Sequence, residues 1–269
     1  KHAITGAAPI NPEIIQLFHS IGINIFEAYG LTETTAGMTF NWKGNNKTGS
    51  IGVPCPGTEV RVEDDGELSF KGANIMKGYY NNPEANAEVF DGEWFKTGDL
   101  GRIDEDGYIH ITGRKKEIYV SSGGKNVAPL VIEETMKSIP VISQFFLVGD
   151  GRKYCSALVT LDVGVILRDN LGMNPDKVPK DPIEQIEELE RRGHKLSDFV
   201  ESEEIRSDIE SQIMELNKRF MNPEQVKKFT ILPRDLNIDS GELTPTLKIR
   251  RKQIRENWAD EIEAMYSDA

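Results

Sequence analysis

The stretch Thr97-Gly-Asp-Leu-Gly-Arg-Ile-Asp-Glu-Asp-Gly-Tyr-Ile-His-Ile-Thr-Gly-Arg-Lys-Lys-Glu117 leaves the backbone few choices. It reads as a sharp glycine turn, a strand, an Asp106-Gly107 hairpin turn and a second strand. Asp-Gly is a strong hairpin signal when apolar residues alternate on both sides, here Leu100 and Ile103, then Tyr108, Ile109 and Ile111. The hairpin ends at Gly113, and Arg114-Lys115-Lys116 follows at once. Such a ribbon brings Asp99 and Arg114 to one edge. A carboxylate accepts two hydrogen bonds and suits a vicinal diol, and a guanidinium donates to the same sugar or its phosphate. A surface salt bridge across a hairpin fits the same residues.

The remainder of the chain supplies a setting for that ribbon. With 269 residues it has room for one large or two medium domains. The net charge of -12 argues against a nucleic-acid surface, which needs clustered Lys and Arg. Much of this charge is local: Asp181 to Glu215 holds twelve acids and four bases, a net -8, which describes a solvated helical stretch. Cys55 and Cys155 are far apart without metal-ligand spacing, so a reducing compartment, the cytoplasm, is the default. No apolar run approaches the ~20 residues needed to span a bilayer, which leaves only peripheral membrane contact open. The chain starts Lys-His-Ala-Ile-Thr-Gly without an initiator Met and reads immediately as a buried strand, so a cut inside a longer protein is expected.

In order along the chain, Ala3 to Thr5 is a strand opening into the small-residue turn Gly6-Ala7-Ala8-Pro9. Asn11-Pro12-Glu13 then offers an N-cap, a first-turn proline and a first-turn acid. Ile14, Ile15, Phe18 and Ile21 repeat at helical spacing until Gly22, and Ile23 to Tyr29 is the next strand. This βαβ unit implies a parallel sheet with ligands outside the carboxyl ends of its strands, where Gly6-Ala7-Ala8 and Tyr29-Gly30-Leu31-Thr32-Glu33 fall. From about 49 to 113, short strands and glycine turns predict a small antiparallel β subdomain, including a hairpin through Asp64-Asp65-Gly66 and a short helix capped by Asn82. Beyond Arg114 an α+β unit is expected. Its parts are a strand at 118–120, the loop Ser121-Ser-Gly-Gly-Lys-Asn126, a helix from Pro129, and strands at 144–149 and 154–161. Helices capped by Asp181 and Ser202 follow, then a strand at 228–232 and a terminal helix. The stripe Ile205, Ile209, Ile213, Leu216 and Phe220 is a packing face. The fold class is therefore α/β plus α+β: residues 1–113 carry the βαβ unit and the small antiparallel β subdomain, and 114–269 form a separate α+β unit.

Tyr29-Gly-Leu-Thr-Glu33, Thr97-Gly-Asp99, Gly113-Arg-Lys-Lys-Glu117 and Leu243-Thr-Pro-Thr-Leu-Lys248 occur in one order at wide spacing. Together they resemble the adenylate-forming superfamily. Ser122-Gly-Gly-Lys-Asn-Val-Ala-Pro and Leu243-Thr-Pro-Thr-Leu-Lys-Ile-Arg-Arg look most similar to its long- and very-long-chain fatty acyl-CoA synthetases. The resemblance implies a fatty acid activated by ATP to an acyl-adenylate, with Mg²⁺, then transferred to coenzyme A. It also implies that the chain is the C-terminal portion of such an enzyme, since the family's Ser/Thr/Gly-rich phosphate loop is missing before Gly6; residues 1–113 would end its large nucleotide-binding domain, and 114–269 would be its small mobile domain, hinged at 114–117. Alternatives are a non-catalytic AMP-binding module and an acyl-AMP ligase serving a carrier protein.

By resemblance, Tyr29 stacks on adenine beside Gly6, Ala7, Ala8 and Gly30, Thr32 donates to the α-phosphate, and Glu33 holds Mg²⁺. Taken alone, Tyr29 reads as core, and Thr32-Glu33 reads equally well as a helix cap. Asp99 binds the ribose hydroxyls with Arg114, Lys116 is the hinge, and Gly123 and Gly124 line the pantetheine tunnel. Lys248 is the catalytic lysine of adenylation, although Arg250, Arg251 and Lys252 beside it also suit a solvated basic face. The four histidines show no ligand spacing.

Overall fold

In a computed structural model, which describes residues 2–8 and 10–267, the chain forms two units. The first runs through Ile118 and includes Ala128–Glu134; the second comprises Tyr119–Val127 and Thr135 onward.

The first unit opens with β1 (His2–Thr5), α1 (Pro12–Ser20) and β2 (Asn24–Tyr29). The helix starts where Asn11 accepts the Glu13 amide at 2.8 Å, and it stops at Gly22, whose φ of +80° suits glycine. β1 and β2 are parallel, and β3 (Thr39–Phe40) and β4 (Val53–Pro54) continue the sheet antiparallel. β1 is not the buried strand its composition suggests. It is the edge of the sheet and Ile4 is 67% exposed. In α1 only Ile15 is buried, while Ile14, Phe18 and Ile21 face outward. Periodicity defines an apolar stripe, but burial depends on what lies against it.

A five-stranded antiparallel sheet follows, comprising β5 (Thr58–Val62), β6 (Glu67–Gly72), β7 (Phe90–Asp91), β8 (Trp94–Ile103) and β9 (Ile109–Arg114). The short α2 (Pro83–Val89) precedes β7, with Asn82 accepting the Ala85 amide. β6 is an interior strand, and its residues Glu67 to Phe70 are all buried. Met38, Leu68, Phe70 and Ile109 form a core on which Tyr29, Leu31 and Ile111 pack.

The second unit begins with the small ribbon β10 (Tyr119–Val120) and β11 (Asn126–Val127). Helix α3 (Pro129–Met136) follows, its residues up to Glu134 grouping with the first unit. The main sheet has the order β12 (Ile142–Val148), β13 (Cys155–Leu161), β14 (Val226–Ile231). β13 and β14 are parallel, so a crossover must join them. It consists of one turn, α4 (Val163–Val165), then α5 (Pro182–Arg191), α6 (Leu196–Val200) and α7 (Glu203–Asn217). Asp181 and Ser202 cap α5 and α7 as expected, and α7 buries Ile205, Ile209 and Ile213. The acidic run lies on these helices. The chain closes with α8 (Arg251–Asn257) and α9 (Ala259–Ala264), along which Ile254, Trp258, Ile262 and the following Met265 pack on Phe146 and Leu158. Cys155 is buried on β13 and Cys55 is partly exposed in the first unit; both thiols are free.

Candidate functional site

The Asp104–Tyr108 turn fixes the register of β8 on β9. The Asp104 carboxylate accepts the amides of Asp106 and Tyr108, and Gly107 turns back at φ +84°. Lys47 and His110 bind the same carboxylate, at 2.7 and 2.8 Å, and hold its pKa far below the usual carboxylate range. This gives His110 a structural task. That register pairs Gly101 with Ile111, and a one-residue bulge at Thr112 on β9 then shifts it so that Asp99 lies opposite Arg114 rather than Gly113.

The glycine turn expected before the strand is instead a bulge inside it. Between the pairs Glu67–Leu100 and Ser69–Lys96, β8 carries more residues than β6, and Gly98 takes φ +75°. The Thr97 hydroxyl donates to Leu68 O at 2.8 Å and accepts the Asp99 amide at 3.1 Å. The bulge re-aims Asp99 into the first unit.

Asp99 is only 4% exposed. One carboxylate oxygen accepts the Tyr29 hydroxyl, and the other accepts Arg114 Nε at 3.0 Å. Burial pushes the Asp99 carboxyl up, while Tyr29 and Arg114 pull it down; the net direction is upward. Burial, followed by the Asp99 charge, raises the Tyr29 phenol well above its ordinary value, so the proton stays on tyrosine. A carboxylate has about four lone-pair sites, so two donors leave capacity for a diol.

Tyr29 ends β2. Its ring lies 6.2 Å from Phe70 at a 37° tilt, so one side of it is core, as its identity alone suggested. Gly6, Ala7 and Ala8 end the neighbouring strand and are exposed. A Cβ on Gly6 would meet Ala28 O at 2.9 Å, and one on Gly30 would meet Ala36 O at 1.6 Å. Gly30 is therefore required by the backbone packed against it.

Thr32 is exposed and opens the 3₁₀ turn Thr32–Thr34. The side chain that caps this turn is Thr34: its buried hydroxyl accepts the Leu31 amide at 2.9 Å. Oε1 of Glu33 accepts the Tyr79 hydroxyl at 2.9 Å. That leaves Oε2 for a hard cation, and one protein carboxylate with phosphate oxygens is a normal Mg²⁺ environment, so Glu33 fits the ion. Among the described residues no group of three or more His, Cys, Asp or Glu could hold a metal by itself.

The structure thus brings Tyr29, Asp99 and Arg114 into direct contact in the first unit. Lys116 is exposed in the 3₁₀ turn Lys115–Glu117, next to the division between units at Ile118. Gly123 and Gly124 lie in the exposed loop joining β10 and β11, pinned where Ser122 donates to Arg152 O at 2.9 Å. Lys248 is exposed on a tight loop of the second unit, with its amide on Thr244 Oγ1 at 3.0 Å and Leu247 at φ +59°. Glu67 and Tyr79 escaped sequence reasoning. A glutamate in an interior strand whose neighbours alternate was the available signal for the first; none marked the second.

The profile of the AMP-binding enzyme family matches residues 1–80, and that of the AMP-binding enzyme C-terminal domain matches 116–197 and 186–269. The chain belongs to the AMP-binding enzyme family. Among curated relatives, the long-chain-fatty-acid–CoA ligase FadD15 of Mycobacterium bovis is 38% identical over 272 residues, covering 99% of this chain and 42% of that protein. The long-chain-fatty-acid–CoA ligase ACSBG2 of Gallus gallus is 34% identical, covering 98% and 36%. The chain thus spans about two-fifths of the length of the curated relatives it matches. The adenylation domain of a carboxylic acid reductase from Segniliparus rugosus, solved with AMP, superposes with a TM-score of 0.71 at 22% identity, over 98% of this chain and 39% of that one. O-succinylbenzoate CoA synthetase from Bacillus subtilis, solved with AMP, gives 0.65 at 22% identity over 95% and 46%. These likenesses carry the adenylate-forming fold. No helix among the described residues is long and apolar enough to cross a membrane.

Proposed function

We propose that this chain is the AMP-handling part of a long-chain fatty acid–CoA ligase. The carrying observation is the Asp99–Arg114 register pair with the Tyr29 hydroxyl on the same carboxylate. In the proposed reaction a fatty carboxylate attacks the α-phosphate of ATP, releasing pyrophosphate and forming an acyl-adenylate. The thiol of coenzyme A then attacks the acyl carbon, forming a thioester and releasing AMP.

Asp99 accepts both ribose hydroxyls, and the half-exposed Arg114 guanidinium supports it. The outer face of Tyr29 stacks on adenine, where the small residues Gly6 to Ala8 permit close approach. Thr32 donates to the α-phosphate. Glu33 holds Mg²⁺, which when bound offsets phosphate charge. Lys248 supplies an ammonium against the crowded negative charge of the pentacoordinate α-phosphate, a stabilisation that grows toward the transition state. The loop with Gly123 and Gly124 serves the pantetheine arm, and Lys116 is the pivot in a hinge at 114–117. A pivot needs only a residue that absorbs backbone rotation, so its charge is secondary.

Calorimetric titration of the 269-residue chain with AMP tests this reading. Binding is expected, weakened at least about tenfold in Asp99→Ala, since a charge-assisted pair of hydrogen bonds is worth on the order of 1.5–3 kcal/mol. Unchanged affinity in that variant refutes the ribose assignment. Since it spans about two-fifths of the length of its curated relatives, the same chain by itself is expected to give no ATP–pyrophosphate exchange.

A further inference from the structure

Glu67 lies on β6, its side chain only 6% exposed, and both of its oxygens are taken. Oε1 accepts the Gly98 amide at 2.8 Å, and Oε2 accepts Lys115 Nζ at 2.8 Å. Lys115 is itself shared with Asp65 at 2.6 Å. Gly98 immediately precedes Asp99 and Lys115 immediately follows Arg114, and Asp99 and Arg114 face each other across the ribbon. One buried carboxylate therefore grips the chain next to each member of the pair, on both strands.

We infer that Glu67 is a positioning residue: by clamping Gly98 and Lys115 it fixes the bulge and the ribbon end that aim Asp99 and Arg114 at a nucleoside diol. The inference rests on the nucleotide reading above. The physical case is one of aim. A bulge stores an unpaired residue, and a Gly98 amide without its acceptor could relax the backbone and turn the next carboxylate. A displacement of about 1 Å is enough to lose a two-pronged hydrogen-bonded contact. Asp65 alone cannot replace Glu67, because it touches Lys115 but lies on the turn outside the sheet and does not reach Gly98.

Discrimination between AMP and 2′,3′-dideoxy-AMP by the 269-residue chain, followed by ligand-observed NMR titration, isolates the diol contact from adenine and phosphate contacts. The unsubstituted chain is expected to prefer AMP by about tenfold or more. Glu67→Gln keeps an acceptor for Gly98 but loses the charge that grips Lys115, and should reduce that preference severalfold. Glu67→Ala should abolish it while dideoxy-AMP affinity stays put. Near-UV circular dichroism shows which variants keep the native fold, and the isosteric Gln variant decides the matter if the Ala variant does not fold. If the unsubstituted chain prefers AMP and Glu67→Gln prefers it equally, Glu67 is a framework residue only and the inference fails alone. If the unsubstituted chain shows no preference, the ribose assignment fails and the inference falls with it.

Discussion

Glu27 shows how one side chain can carry a pH dependence unrelated to catalysis. It sits on β2, and burial pushes its carboxyl up to about 7, against the opposing pull of a hydrogen bond from the Gly49 amide. A carboxyl with a raised folded-state pKa binds more protons folded than unfolded between its ordinary value and about 7. Its contribution is therefore most favourable below about 4.5 and declines as pH rises through that window. Glu27→Gln should unfold at a higher temperature than the parent at pH 8, with the difference vanishing near pH 4.5. A constant difference across that range would show that the group titrates normally. At this same scale the sequence spoke for Asp99 and Arg114 at one edge of a ribbon, but not for their exact pairing: turn and alternation alone set Asp99 against Gly113, and the Thr112 bulge brings Arg114 round. It was silent about Tyr79 and Glu67, whose partners lie 46 and 31 or more residues away.

Among the elements, the loop presenting Lys248 depends on a buried node. Glu242 is fully buried and accepts from Arg234 at 2.7 and 2.8 Å, from Trp258 Nε1 at 2.8 Å and from Ser240 at 2.7 Å. Burial alone would raise this carboxyl, but the Arg234, Asn257 and Ser240 hydrogen bonds outweigh it and hold it down to about 2. Its stabilisation is thus present above about 4.5 and lost as pH falls through about 2. Arg234→Met leaves the carboxylate buried without its cation and should cost about 3 kcal/mol in denaturant unfolding. A cost below about 1 kcal/mol would mean that the remaining donors suffice. Caps, turns and helix stripes were legible because each is set by residues within a few positions of one another. The β8 bulge was not, because Thr97-Gly98-Asp99 becomes a bulge only against Leu68 and Glu67 on another strand. Nor was the exposure of β1 and α1, since a strand's edge position is a property of the sheet.

At the level of the whole molecule, the acidic helices between β13 and β14 dominate the electrostatics. Even with its four bases, among them Arg191 and Arg192 paired to Glu188, this stretch keeps a net -8. Raising salt from 0.1 to 1 M shortens screening from about 10 to about 3 Å, which relieves repulsion among these helices. The thermal midpoint is expected to rise by a few degrees; a fall would show that surface ion pairs outweigh the repulsion.

The two thiols give this arrangement a practical handle. The Cys155 side chain is sealed in the β13 layer, burial pushes its pKa up to about 11, and its sulfur donates to Pro223 O. Cys55, partly open to solvent, sits in the other unit. A maleimide dye added to the native protein should therefore label a single position, and its emission would report on the unit that holds Asp99 while the unit that holds Lys248 stays dark.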